Sequence, residues 1–239
     1  MFYMSDSTTI ILDMGGVLMQ HNMPECLSRF RHLLGEEQTD RLLGLASDGE
    51  GTADSLMEQF ERGLIAADAF IGTLLRYARP GTTPQDLINA WNAMHGGIPA
   101  ERLALLHRWH DRGYRLFLLS NNNQLHWHDI CSRYDMSVFE HCFLSHLLHL
   151  SKPDPRIYAT VQAYLTQHHC PTPYRFVVDI PAHLLPSLTS YRIYKCRQPL
   201  ILFWGQRFET DILLGDDASR VVKCNLGVLP SPCGFHGAK

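Results

Sequence analysis

Apolar residues along this chain follow two periods, and the switches between them mark out its elements. Ile10-Ile11-Leu12 is a short apolar run with two β-branched residues, which predicts a buried parallel strand that ends at Asp13 and is followed closely by Gly15 and Gly16. From Pro24 to Met94 the period is helical throughout. Leu27, Phe30 and Leu34 fit one helix face, Leu56, Met57 and Phe60 a second, and Phe70, Leu74 and Tyr77 a third, with Gly35, Gly63 and Pro80-Gly81 as breaks. Thr83-Pro84-Gln85-Asp86 predicts a helix start, with Thr at the cap and Pro at the first helical position, leading into Leu87, Ala90, Trp91 and Met94. A helical unit inserted directly after the Asp13 strand can overhang that strand's end.

Beyond Pro99 the pattern returns to alternating strands and helices. Leu103, Leu106, His107 and Trp109-His110 suggest a helix ending near Gly113, and Tyr114 to Leu119 is a second buried strand that runs into Ser120-Asn121-Asn122-Asn123. A hydroxyl and an amide therefore fall at a second strand end. Gln124 to Tyr134 can form a helix, and Cys142 to Ser145 is a third strand candidate. Pro153 and Pro155 exclude a helix interior, so the next helix starts at or just after Pro155, with Lys152 in the loop before it.

The last third offers two strands that end in acids. Phe176-Val177-Val178 leads to Asp179 alone, whereas Asp211 to Gly215 leads to the pair Asp216-Asp217, with a helix from Ala218 to Leu226 closed by Gly227. Paired acids suit a divalent cation, so Asp216 and Asp217 are preferred over Asp179. On that choice Pro171 to Thr210 is an insertion holding strand-like pieces such as Pro199 to Trp204, and Pro230 to Lys239 is a loosely held tail.

Composition narrows the partners. With 239 residues, 45% hydrophobic, 19% charged and a net charge of -3, the chain can bury a core and shows no bias towards nucleic acid or an acidic membrane. The N-terminus lacks a secretory pattern and no apolar run is long enough to span a bilayer, so a cytoplasmic monomer or homodimer is expected. Seven widely spaced cysteines without a C-x-x-C pair read as reduced, buried thiols. Among 14 histidines, His126, His128, His146 and His149 lack the spacing of a zinc site and read as surface or supporting groups.

Three of these stretches together resemble a known family. Asp13-Met14-Gly15-Gly16-Val17-Leu18, then Ser120-Asn121 after a strand, then Lys152-Pro153 before a helix, resemble the first three motifs of the haloacid dehalogenase (HAD) superfamily over residues 8–165. The phrase Phe60 to Ile65, followed by Phe70, also looks like the cap of its glucose-1-phosphate-type phosphatases. The resemblance implies a Rossmann-like α/β parallel-sheet core (residues 1–20 and 98–239) with an inserted helical cap (residues 21–97).

It further implies a phosphatase acting on a small phosphorylated metabolite, sugar phosphates included. Asp13 would be the nucleophile, forming an aspartyl-phosphate, and Lys152 would neutralise charge. Gly15, Gly16, Ser120 and Asn121 would contact the substrate. Mg²⁺ would be held by Asp13, the Gly15 carbonyl, Asp216 and Asp217. Many family phosphatases carry a second aspartate, the general acid and base, where this chain has Gly15. That gap favours substrates whose leaving group needs little protonation, such as acyl or anomeric phosphates. A 2-haloacid dehalogenase is one alternative, although those enzymes have an aromatic residue at position 15 and no Gly-Asp-Asp motif. A non-catalytic binding or regulatory protein with the same fold is the other.

Overall fold

The computed structural model describes residues 9–43, 55–171, 174–178, 192–195 and 200–203. Among these, eight strands are numbered in chain order: β1 (Thr9–Leu12), β2 (Gln20–His21), β3 (His95–Gly97), β4 (Arg115–Ser120), β5 (His141–Leu144), β6 (Tyr174–Val178), β7 (Arg192–Lys195) and β8 (Leu200–Phe203). The main sheet has the order β5-β4-β1-β6-β8-β7. Its first four strands are parallel, with Leu12 of β1 opposite Leu118 of β4 on one side and Val177 of β6 on the other. β8 runs antiparallel to β6, and β7 antiparallel to β8.

Alternation along the strands sends successive side chains to opposite faces, and helices cover both. Ile10, Leu12, Leu116 and Leu118 pack with Leu106 and Trp109 of α6 (Ala100–Asp111) and Ile130 of α7 (Gln124–Arg133). Ile11, Phe117, Leu119 and Phe143 pack on the other face with Ile157, Val161 and Leu165 of α9 (Pro155–Gln167). The chain is thus an α/β protein with a Rossmann-like core, as its strand pattern predicts. Asp13 and Ser120 lie together at the C-terminal edge because β1 and β4 are in-register neighbours.

Between β1 and β4 the chain forms a helical unit with its own core. It comprises α1 (Met23–Leu34), α2 (Glu36–Leu42), α3 (Leu56–Glu61), α4 (Ala67–Arg76) and α5 (Pro84–Asn92). Phe60 stacks on Phe70 at 4.3 Å, and Trp91 leans on Phe70 at 4.9 Å and on Phe30 at 6.1 Å. α5 starts as its sequence predicts: the Thr83 hydroxyl accepts from the Asp86 N–H at 3.2 Å while the Asp86 carboxylate accepts from the Thr83 N–H at 2.9 Å. β2 and β3, antiparallel to each other, are where the chain leaves the sheet and comes back to it. Two-residue and three-residue strands carry no readable alternation, and the sequence reading missed both.

The segment 171–210 departs from expectation. Its described strands belong to the core, since β6 inserts beside β1 and β8 and β7 extend the same sheet. The strand-like piece expected at Pro199 to Trp204 is β8. Tyr77, expected on an apolar helix face, is exposed at the end of α4 with the Arg41 guanidinium 4.9 Å from its ring centre. No helix among the described residues is long and apolar enough to cross a membrane.

Phe70 is fully buried at the centre of the helical unit's aromatic cluster. Phe70→Ala should lower stability by about 3–5 kcal/mol, since it removes a large side chain from a packed site that cannot close over the void. Urea unfolding followed by tryptophan fluorescence, with Trp91 in contact, checks this.

Candidate functional site

The ends of β1 and β4 and the loop before α9 bring a carboxylate, a hydroxyl and an ammonium to one edge of the sheet. Asp13, just past β1, is 8% exposed, and its Oδ1 accepts from the Met14 N–H at 2.8 Å. Its Oδ2 lies 2.5 Å from the Lys152 Nζ, with both side chains about nine-tenths buried (11% exposed each). Lys152 also donates to the Leu119 carbonyl at 3.2 Å. A buried charge pair is tolerated only when each partner has such further hydrogen bonds.

Asn121 fixes the lysine. Its Oδ1 accepts from the Lys152 N–H at 2.7 Å and its Nδ2 donates to the Lys152 carbonyl at 2.9 Å, so the side chain clamps the loop from both directions. Beyond it, Asp154 caps α9 by accepting from the Arg156 N–H at 2.9 Å. Ser120, buried at the end of β4, has its hydroxyl 3.2 Å from the Asn121 carbonyl. Asn121 was expected to contact the substrate; its side chain is engaged with the Lys152 backbone.

The turn after Asp13 is tight. Leu18 and Met19 both donate to the Met14 carbonyl, at 2.9 and 2.8 Å, and Gly16 at φ 71° donates to the Met19 carbonyl at 2.9 Å. Only glycine takes that dihedral readily. The Gly16 N–H thus has a partner within the turn. Arg102 of α6 steadies the turn from outside by donating to the Val17 carbonyl at 2.6 Å.

A buried polar seam joins this edge to the helical unit. Asn123 Oδ1 accepts from the Trp91 indole at 3.1 Å and from the His126 N–H at 3.0 Å. His126 Nε2 donates to the Trp91 carbonyl at 3.0 Å, which leaves Nδ1 to accept from Asn123 Nδ2 at 3.0 Å. Burial holds His126 well below the usual imidazole range, and burial followed by the nearby His21 brings His95 down to about 4. The Ser145 hydroxyl, at the start of α8 (Ser145–Leu148), sits 2.5 Å from the Glu61 carbonyl and 2.8 Å from the Asn122 carbonyl, and it accepts from the Asn122 N–H at 2.8 Å. Sequence reasoning missed Ser145, Asn123 and Arg102. Only the run of three asparagines after a strand hinted that such a seam existed.

Of the residues predicted for the site, Asp13, Ser120, Asn121 and Lys152 are brought together, with Gly15 and Gly16 in the adjoining turn. Asp179, Asp216 and Asp217 lie outside the described residues. A hard cation would find the Asp13 carboxylate and the nearby Gly15 carbonyl chemically suitable, since both are oxygen donors. Among the described residues no group of three His, Cys, Asp or Glu could hold a metal, so further acids would have to come from elsewhere in the chain. His126, His146 and His149 have ring nitrogens engaged with neighbouring groups, in line with the supporting role expected for them. Cys26, Cys131, Cys142 and Cys170 are free thiols; Cys131 is exposed, against the expectation of burial.

No family model matches the sequence. Solved structures do match the fold. A HAD family enzyme of Bacteroides thetaiotaomicron is 24% identical with a TM-score of 0.62, covering 77% of this chain and 91% of that one. The same enzyme in complex with magnesium and inorganic phosphate matches with a TM-score of 0.55 over 67% of this chain and 79% of that one. A predicted HAD-like family hydrolase of Porphyromonas gingivalis, 25% identical, gives a TM-score of 0.54 over 67% of this chain and 77% of that one.

At the seam, burial pushes the Glu61 carboxyl up to about 7, with Glu58 adding to the effect. The folded state therefore holds a proton that the unfolded chain releases near 4.5, so stability falls as pH rises from 4.5 to about 7 and is level beyond. Glu61→Gln should remove that loss. The variant is expected to gain up to about 3 kcal/mol over the unmodified protein at pH 8 and nothing below pH 4.5, as read from urea unfolding at both pH values.

Proposed function

We propose that this chain, which has the fold of the HAD family enzymes, is a Mg²⁺-dependent phosphatase acting on a small phosphorylated metabolite in the cytoplasm. The observation that carries the reading is the buried Asp13–Lys152 pair at the ends of parallel strands, with Ser120 beside it. In an open α/β sheet that edge is where ligands bind. The helical unit formed by residues 21–97 acts as a cap over it.

Asp13 attacks phosphorus through a carboxylate oxygen, and the resulting aspartyl-phosphate is hydrolysed by water. The Lys152 ammonium offsets charge shared by Asp13 and the equatorial phosphoryl oxygens, held in position by the Asn121 clamp. Ser120 and the N–H of Gly15, which has no partner among the described residues, donate to phosphoryl oxygens. Asp13 and the Gly15 carbonyl would hold Mg²⁺ together with acids from the C-terminal third. Bound there, the ion supplies charge compensation for the transferring group. That the Bacteroides enzyme was solved with magnesium and phosphate supports this choice.

Two assignments of those acids compete. Asp216-Asp217 is the stronger pair by charge. The pairing of β6 with β1 supports Asp179 instead, since Val177 stands opposite Leu12 and Asp179 follows β6 in the chain as Asp13 follows β1.

A screen of phosphorylated metabolites with and without Mg²⁺ tests the function. Asp13→Asn should abolish turnover, because the amide has nearly the same shape but is no nucleophile, and should lower the unfolding midpoint, because Lys152 loses its buried counter-charge; turnover is therefore read under conditions where circular dichroism shows the variant folded. Full activity in that variant would remove the covalent mechanism, and an inactive unmodified protein would favour a binding role. In parallel, Mg²⁺ titrations of Asp179→Asn and of Asp216→Asn/Asp217→Asn should show half-saturation moving to higher Mg²⁺ only for the true ligand set.

A further inference from the structure

We propose that His21 donates the hydrogen bond to the leaving-group oxygen, in the place that residue 15 leaves open. This rests on the reading of Asp13 as nucleophile and extends it to the substrate's other half. Gly15 is two residues past Asp13 and is not among the glycines of positive φ, so its backbone does not require glycine. What its missing side chain provides is room. A Cβ built on Gly15 would collide with His21 Nε2 and would lie 3.3 Å from His21 Cδ2, so the imidazole occupies the volume into which any side chain at residue 15 would project.

The direction matters for the chemistry. In-line displacement puts the leaving oxygen on the far side of phosphorus from Asp13. Met14 cannot serve it, because its side chain is buried in the core with Leu12 and Leu18. Residue 15 is thus the first position beyond the nucleophile that does not belong to the core cluster, and His21 fills its side-chain volume by a route the chain order hides. The ring is presented by β2, where His21 pairs with His95 of β3, and the Asn22 N–H donates to the Met94 carbonyl at 2.7 Å next to it. This two-stranded ribbon is the passage between sheet and helical unit, and His21 is exposed on it.

The step balances as follows. A carboxylate oxygen of Asp13 bonds to phosphorus, and the bond to the leaving oxygen breaks with its electron pair staying on that oxygen. The Nε2–H hydrogen bond stabilises the charge that develops there, and water provides the proton that completes the alcohol. Because the donor acts where charge builds up, its benefit grows with the basicity of the leaving group. Alkyl phosphates, sugar phosphates with non-anomeric esters included, therefore fall within range, a wider class than the bare Gly15 gap suggests.

The test is a series of aryl and alkyl phosphates of graded leaving-group pKa, hydrolysed by the unmodified protein, His21→Phe, His21→Leu and His21→Gln. His21→Phe fills the ring's volume without a donor. It should lose on the order of a hundredfold in kcat on alkyl esters and little on the most acidic phenols, so that its dependence on leaving-group pKa steepens. His21→Gln, which keeps a donor, should recover part of the loss. In the double variant His21→Ala/Gly15→Asp the emptied volume should accept the carboxyl side chain and flatten the series, whereas Gly15→Asp alone should meet the ring and fail to do so. An unchanged slope in His21→Phe, or in His21→Leu should the phenylalanine variant not fold, overturns the role of His21 while leaving the Asp13 mechanism standing. Activity that survives Asp13→Asn, or none in the unmodified protein, overturns both.

Discussion

A carboxylate and an ammonium share a nearly dry position at the end of the central strand, 2.5 Å apart, and much of the local architecture serves that contact. Neither charge would be tolerated there alone, since removing one partner of such a pair costs about 3–5 kcal/mol. Asn121 holds the Lys152 backbone at both its N–H and its carbonyl. Asp154 starts α9 directly behind it, and Met14 donates to Asp13 from the other side. The parallel register of β1 and β4 brings these groups to a common edge. An anionic substrate arriving there meets a lysine already positioned, so little reorganisation accompanies charge development.

Around that contact the protein arranges two kinds of polar surroundings. The seam between sheet and helical unit is fully buried and internally satisfied at Asn123 and His126, which suits a fixed junction. His21 itself is exposed on β2 and borders the turn at Gly15, which suits contact with a ligand. Glu61 lies on the seam side, with a carboxyl that burial drives towards its neutral form. The helical unit meets α7 through these hydrogen bonds and through the packing of Leu125 and His126 against it, and its own core is the Phe30, Phe60, Phe70 and Trp91 cluster.

What was legible in the sequence is local. The apolar runs of β1 and β4, the Thr83-Pro84 helix start, and the chemistry-bearing residues at strand ends all follow from period and capping over a few neighbouring positions. The helical period between Pro24 and Met94 likewise agrees with the helices α1 to α5. Those rules also placed Lys152 in a loop before a helix that opens at Pro155.

Tertiary structure alone decided which distant segments are neighbours. No local pattern says that β6 pairs with β1, and the sequence reading accordingly took that stretch for an insertion. Nothing in the spacing of Gly15 and His21 shows that the imidazole fills the space above the glycine, because that proximity comes from a turn closed by the Met14 and Met19 carbonyls and from pairing with β3. Ser145 became a junction only when β5 and α3 came together. Side-chain period reports burial, which each residue experiences locally. Strand order and loop proximity depend on contacts between residues far apart in the chain, and those are determined only when the whole core packs.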